Sequence, residues 1–191
     1  MKKWRRKETK VVFETKHFRV RKDIVELPSR ELKEWIYWDS VDSVMVIAMT
    51  REKKLVMIRQ YRYLVGGEVI EFPSGALHKN ENVKDGARRE LEEETGFKCG
   101  PLVRLGSFYE TYGQLNRQIH LFFTKDVVKF KQNLDKGKRG FEDIKVELVD
   151  FDKVVELALK NKVVAMGSSL AILLLKEKID RGEIKLDSVL I

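Results

Sequence analysis

The stretch that most constrains the fold is an acidic helix over residues 82–95, which carries its own start and stop signals. Asn82 is suited to cap the first turn, and Asp85 follows three positions later in a capping-box arrangement. An apolar residue recurs at every fourth position, at Val83, Ala87 and Leu91. Gly96 stands where a left-handed C-cap glycine belongs. These signals predict an amphipathic helix packed on a core through its apolar stripe.

Three glutamates, Glu90, Glu93 and Glu94, lie at positions i, i+3 and i+4 and therefore share one face of this helix. Two carboxylates about 4 Å apart repel by roughly 4 kcal/mol at an effective dielectric of 20. A divalent cation removes the repulsion, and an all-oxygen ligand set favours Mg²⁺ or Mn²⁺ over zinc. We expect the apolar side of the helix to pack and the acidic side to stay free for a metal. A bare helix of this kind also fits a solvated acidic face paired with arginines.

The string from Gly75 to Phe97 resembles the Nudix box, the pattern Gly-x5-Glu-x7-Arg-Glu-apolar-x-Glu-Glu-x-Gly-apolar. The fixed positions are all matched, by Gly75, Glu81, Arg89, Glu90, Leu91, Glu93, Glu94, Gly96 and Phe97. The resemblance implies a Nudix-type α/β/α sandwich with a mixed β-sheet. It also implies hydrolysis of a pyrophosphate that links a nucleoside to another group, with Mg²⁺ or Mn²⁺ as the cofactor.

The resemblance assigns five metal ligands. Glu90 and Glu94 match the family's main ligands, and Glu93 and Glu81 assist them directly or through water. Ser74, immediately before the box, completes the predicted metal set. An intact set of acidic side chains argues against a non-catalytic scaffold, which has no need to keep repelling carboxylates together.

Catalytic roles follow from the same resemblance. Arg89 is grouped with the catalytic residues because it matches the arginine that orients the glutamates. Gly75 is expected to let the chain turn where metal and phosphate crowd the backbone. The general base is expected on a late loop, where Glu142 matches an acidic position and Asp143 is the second choice. A glutamate of the box, Glu93, is the remaining candidate.

The sequence upstream of the box narrows the choice of substrate. The strings RQYR at 59–62 and EFPSG at 71–75 resemble ADP-ribose and related nucleotide-sugar pyrophosphatases. This implies cleavage of ADP-ribose to AMP and ribose-5-phosphate, with Glu71 and Gly75 at the substrate. Arg62 matches the arginine that reaches the diphosphate, a task that suits its planar fork of donors.

One position departs from that subgroup. Its usual Ser-Pro-Gly is replaced by Thr111-Tyr112-Gly113, and a tyrosine here is typical of dinucleoside-polyphosphate hydrolases. Tyr112 is therefore a further residue that we expect to bind the substrate. GDP-mannose, a dinucleoside polyphosphate or an oxidised nucleoside triphosphate remain alternative substrates.

Residues 1–39 read as an N-terminal antiparallel β-sheet extension, and residues 40–191 as the Nudix hydrolase domain. In the resembling subgroup this extra sheet often swaps between two subunits and helps to bind adenosine, which implies a homodimer. Trp38, Trp35 and Phe18 are the candidate stacking residues, although core or dimer packing is the commoner role for any one of them.

Charge and composition bear on partners and compartment. The net charge is +8 with a pI near 9.4, and the basic start Lys2–Lys10 includes Trp4. Such arms can bind phosphate backbones, which leaves RNA binding or RNA-cap processing as an alternative function. A solvated terminal tail is commoner, so we expect no nucleic-acid partner. Cys99 is the only cysteine, and no apolar run reaches membrane-spanning length. We expect a cytoplasmic protein without membrane contact.

The remaining pattern predicts a hairpin and two late helices. Residues 43–50 and 54–61 are strand candidates separated by only three residues, which favours a hairpin. Asp152 is expected to cap a helix over 153–160, and Ser168 a second helix that ends near residue 180.

Overall fold

The computed structural model describes residues 1–16, 18–125, 127–130 and 143–186. The chain forms two compact units. The N-terminal unit comprises Met1–Asp42 with Phe108–Gln118, and the box unit comprises Ser43–Ser107 with the described part of Ile119–Ile191.

The N-terminal unit contains a three-stranded antiparallel sheet in the order β1-β2-β3. Its strands are β1 (Arg5–Glu14), β2 (Arg19–Glu26) and β3 (Leu32–Trp38). β1 is exposed along its whole length. The backbone amide of Trp38 donates to the carbonyl of Gln114 over 2.8 Å, which ties the second segment of this unit to the end of β3.

A mixed sheet forms the centre of the box unit. Its strands are β4 (Ser43–Met49), β5 (Lys54–Arg62), β6 (Gly67–Glu71), β7 (Ser74–Ala76), β9 (Val103–Tyr109), β10 (Gln118–Lys125) and β12 (Lys145–Asp150). The order is β12-β5-β4-β10-β9, with β6 paired to β5 and β7 paired to β4. β4 and β10 run parallel, whereas β5 pairs antiparallel with β4, β6 and β12. A separate antiparallel pair joins β8 (Phe97–Lys98) to β11 (Val128–Lys129).

Helices cover both faces of this sheet. They are α1 (Val83–Thr95), α2 (Phe151–Leu159) and α3 (Met166–Asp180). Ala87 and Leu91 of α1 are fully buried with Val44 and Val46 of β4. Met45 points the opposite way, as strand alternation requires, and its sulfur lies 3.8 Å from the Ser168 hydroxyl of α3. The predicted mixed-sheet sandwich is therefore confirmed. Among the described residues, no helix has the length and apolar character needed to cross a membrane.

The observed helix ends confirm some of the predicted capping residues and contradict others. α1 begins after Asn82, whose side chain accepts from the Lys84 amide over 2.9 Å, and ends at Gly96 with φ 72°. The other two predicted caps are wrong. Asp152 lies inside α2, whose N-cap residue is Asp150, and Ser168 lies inside α3, whose N-cap residue is Ala165.

Candidate active site

The carboxylate of Glu90 lies against the backbone of β7. A Cβ atom at Gly75 would stand 2.3 Å from the Glu90 Cδ and 2.3 and 2.4 Å from its two oxygens. Gly75 belongs to a strand and has no positive φ. The expectation that it provides a turn is therefore wrong. Glycine is required because its missing side chain leaves room for the glutamate.

Arg89 gathers three of the box glutamates. Its Nε and Nη2 donate to the two oxygens of Glu81 over 2.8 and 2.9 Å. Its Nη1 donates to Glu90 over 2.7 Å and to Glu93 over 3.2 Å, and Nη2 also reaches the Ala76 carbonyl at 3.1 Å. The bond from Arg89 lowers the pKa of Glu81 to about 2, and the Glu81 and Glu90 carboxylates raise the pKa of Arg89. Arg89 thus contacts three carboxylates at once and fixes their directions.

Glu94 is fixed one turn further along the helix. Its Oε2 accepts from the Ser74 backbone amide over 2.8 Å, so α1 is joined to β7 at two successive residues, Ser74 and Gly75. Glu90 and Glu94 are both buried. The expectation of an open acidic face is wrong for these two side chains, because β7 packs directly on them. The side chain of Glu93 remains about a quarter exposed.

The donor set fits a hard divalent cation in its chemistry. Glu81, Glu90, Glu93 and Glu94 against Arg89 leave a formal charge of minus three, and buried excess charge of one sign is costly without a counterion. Carboxylate oxygens are the ligands that Mg²⁺ and Mn²⁺ prefer. In the described part of the chain, no group of three His, Cys, Asp or Glu side chains is arranged as a metal site. Three of the carboxylates point at the Arg89 guanidinium and not at a shared point between them.

A second polar cluster lies at the end of β5. Glu71 is buried, and its Oε1 accepts from Gln60 Nε2 at 3.0 Å and from Arg62 Nε at 2.8 Å. Arg62 Nη2 lies 2.7 Å from the same oxygen, while its side chain is 44% exposed. The predicted substrate residues Arg62 and Glu71 are thus in direct contact. Gln60, to which the RQYR string assigned no role, holds the Glu71 carboxylate through this hydrogen bond.

Arg62 and Glu71 form the polar end of a shallow groove of about 370 Å³. Its other lining residues are apolar or aromatic: Tyr63, Leu64, Val65, Val69, Val164 and Ala165. The guanidinium of Arg62 therefore meets solvent beside an apolar wall.

Two other predicted substrate residues belong to the N-terminal unit. Trp38 packs against Phe18 with ring centroids 4.8 Å apart, and Trp35 contacts Trp4 edge to face at 5.7 Å. Tyr112 is strongly exposed. Trp38 and Trp35 thus pack within their own unit, in agreement with the core-packing alternative to a stacking role.

The predicted base Glu142 lies outside the described residues. Asp143, the second choice, is described and exposed, two residues before β12.

A comparison with protein families identifies the chain. The NUDIX domain model matches residues 39–170. The chain belongs to the Nudix family. Its members generally use a divalent metal and act on small nucleotide derivatives, and this chain is accordingly a Nudix hydrolase that cleaves a pyrophosphate in such a compound.

Curated relatives and a solved structure resemble the chain over much of its length. A methanol dehydrogenase activator of Bacillus methanolicus is 36% identical over 126 residues, 66% of this chain and 68% of the relative. An ADP-ribose pyrophosphatase of Bacillus subtilis (strain 168) is 34% identical over 134 residues, 69% of this chain and 72% of the relative. The crystal structure of an ADP compounds hydrolase superposes with a TM-score of 0.80, covers 96% of this chain and 98% of its own, and is 17% identical. That last likeness concerns the fold.

Proposed function

We propose that this Nudix hydrolase cleaves ADP-ribose to AMP and ribose-5-phosphate with Mg²⁺ or Mn²⁺. The observation that carries the proposal is the convergence of Glu81, Glu90 and Glu93 on Arg89, with Glu90 seated against Gly75. The similarity to the Bacillus subtilis ADP-ribose pyrophosphatase supports the substrate.

Each part of the site has a proposed task. Glu90, Glu94, Glu93, Glu81 and Ser74 would hold the ion, which when bound neutralises the diphosphate and activates water. Arg89 keeps three of these carboxylates in place through its fork of donors.

The diphosphate is proposed to bind Arg62, whose guanidinium is held by Glu71 and keeps exposed donors for phosphate oxygens. The proton of the attacking water would pass to Glu142, with Asp143 and Glu93 as the competing bases. Replacing Glu142 by Gln should lower kcat by about 10² to 10⁴-fold, whereas Asp143→Asn should leave kcat nearly unchanged.

A substrate panel tests the reaction. ADP-ribose, GDP-mannose, diadenosine polyphosphates and an oxidised nucleoside triphosphate are compared at equal concentration by kcat/KM, with products resolved by ion-exchange chromatography. AMP and ribose-5-phosphate in equal amounts, with ADP-ribose the best substrate, support the proposal. A preference for any other member of the panel contradicts it.

We further propose a homodimer in the cytoplasm. Val11, Val12 and Phe13 of β1 are each more than 40% exposed, and a second copy of the chain is the proposed cover for this apolar strand. Light scattering after gel filtration should give twice the chain mass. A monomer at micromolar concentration would refute the dimer, and recovery in a membrane or secreted fraction would refute the compartment.

A further inference from the structure

A cavity of about 680 Å³ lies in the N-terminal unit, where the residues before β1 face the turn between β2 and β3. Its lining is Lys2, Lys3, Trp4, Arg5, Glu26, Leu27, Pro28 and Arg30. Four of these eight residues are cationic and one is anionic. The proposed hydrolysis uses none of them.

The single carboxylate of the cavity is already bound elsewhere. Glu26 Oε2 lies 2.8 Å from the Lys7 ammonium, and Arg5 acts on Glu26 only at longer range. In the part of the chain that the structure describes, no carboxylate lies within ion-pair distance of Lys2, Lys3, Arg5 or Arg30. Within the described ranges, these four cations thus share one concave surface without an ion pair of their own, an arrangement that favours an anionic ligand.

The backbone at Arg30 gives an independent indication. Arg30 adopts φ 70°, in the left-handed region, within a turn closed by its amide bond to the Leu27 carbonyl at 2.9 Å. A residue with a side chain is disfavoured there, and Gly or Asn would suit the turn better. An arginine at this position places a charge at the cavity in spite of a backbone penalty, which is typical of functional positions.

The aromatic side chain of the cavity is both held and accessible. Trp4 is 49% exposed, and its ring contacts Trp35 edge to face with an interplanar angle of 76°. A positioned aromatic ring beside a row of cations is the combination that binds single-stranded nucleic acids, where bases stack on the ring and phosphates meet the cations. A flat lipid surface fits this concave shape less well.

We propose that this cavity binds single-stranded nucleic acid, with phosphates on Lys2, Lys3, Arg5 and Arg30 and a base on Trp4. The sequence alone favoured a solvated tail, because the basic run is short and terminal tails are commonly solvated. The turn at residues 27–30 adds Arg30 and a second side to the cavity. The site is independent of the proposed hydrolysis of ADP-ribose.

Fluorescence anisotropy with a labelled 12-nucleotide oligouridylate and the full chain tests the proposal. The affinity is measured between 50 and 300 mM KCl for three proteins. They are the wild type, a variant with Lys3, Arg5 and Arg30 changed to Ala, and a charge-matched control with Lys160, Lys162 and Arg181 changed to Ala.

The cavity variant should bind at least tenfold more weakly, and the slope of log K against log salt should fall by about 2, at roughly 0.7 for each lost phosphate contact. The control should stay within threefold of the wild type. Trp4→Ala should weaken binding about 5- to 150-fold, while Trp4→Phe should retain most of the affinity.

Three results would overturn the proposal: no binding by the wild type, equal losses in the cavity and control variants, or preferential binding of phosphatidylserine vesicles. Unchanged hydrolysis by the cavity variant shows that its fold is intact. Should that variant fail to fold, 5-bromouridine crosslinking of the wild type decides instead. Crosslinks within residues 2–30 support the site, and crosslinks confined to the box unit refute it.

Discussion

Adding one methyl group at Gly75 should disable the hydrolase while leaving most of its stability. In Gly75→Ala the new Cβ would stand 2.3 Å from the Glu90 carboxyl carbon, whereas non-bonded carbon atoms settle at about 3.5 to 4 Å. The carboxylate must therefore retreat by more than 1 Å. It can do so because it ends a flexible side chain, but it then loses its 2.7 Å bond from Arg89.

The expected loss of activity is large. A misplacement of about 1 Å at a catalytic constellation costs on the order of 10²-fold in rate, so kcat/KM should fall about a hundredfold. One strained hydrogen bond to a buried charge costs about 1 to 3 kcal/mol in the free energy of unfolding. Steady-state hydrolysis and urea unfolding measure the two effects.

Gly100→Ala is the matched control, because a Cβ at Gly100 meets nothing within 4 Å and its φ is not positive. It should keep full activity and equal or slightly exceed the wild type in stability. The clash with the Glu90 carboxylate is refuted if kcat/KM of Gly75→Ala stays within threefold of the wild type, or if kcat/KM of Gly100→Ala falls as far as that of Gly75→Ala.

Three further predictions concern ion pairs and a buried hydrogen bond. Arg89→Met leaves Glu81, Glu90 and Glu93 without their shared cation and should lower the unfolding free energy by about 3 to 5 kcal/mol; an unchanged urea midpoint would contradict the role of Arg89. The bond from Arg59 lowers the pKa of Glu147, so its stabilisation is complete above the unfolded pKa of about 4.3 and is lost as pH falls through the lower folded value. Glu147→Gln should thus be less stable than the wild type by about 1 kcal/mol at pH 7, with the difference shrinking below pH 4, and a constant difference would refute this. Ser168→Ala leaves the buried Phe72 amide without its 3.0 Å acceptor and should lower the free energy of unfolding by about 1 to 3 kcal/mol. An unchanged Tm in calorimetry would show that this hydrogen bond does not stabilise the fold.

Local signals were enough to predict α1. Asn82 and Gly96 act on the backbone within a few residues of themselves, and both do in the structure what their positions in the sequence indicate. The hairpin of β4 and β5 was also predictable from neighbouring residues, because only three residues separate the two strand candidates. The mixed sheet was expected from the resemblance to the Nudix box.

Contacts between distant residues could not be predicted. Ser168 precedes an apolar run and looks like an N-cap, but its hydroxyl accepts from Phe72, 96 positions earlier in the chain. Glu90 was expected on an open face, and only the pairing of Gly75 with Val44 of β4 brings β7 over it. In each case a partner far along the chain decides the role of a residue whose local surroundings indicate another.

The sequence names candidate site residues more readily than it shows how they are arranged. The box pattern names Arg89 and the four glutamates, but spacing along a helix does not show that Arg89 binds three of them at once. Gln60 is part of the RQYR string, but the string gave it no role of its own. Its role becomes visible only through its 3.0 Å bond to Glu71.

Titration calorimetry with Mn²⁺ and Mg²⁺ addresses the acidic cluster most directly. The wild type should bind the ion with a saturable heat signal, and both Glu90→Gln and Glu94→Gln should weaken this binding at least tenfold. Glu92→Gln, on the same helix, should leave it unchanged. A wild type that takes up neither ion, or glutamine variants at positions 90 and 94 that bind as well as the wild type, would contradict a divalent cation among these carboxylates.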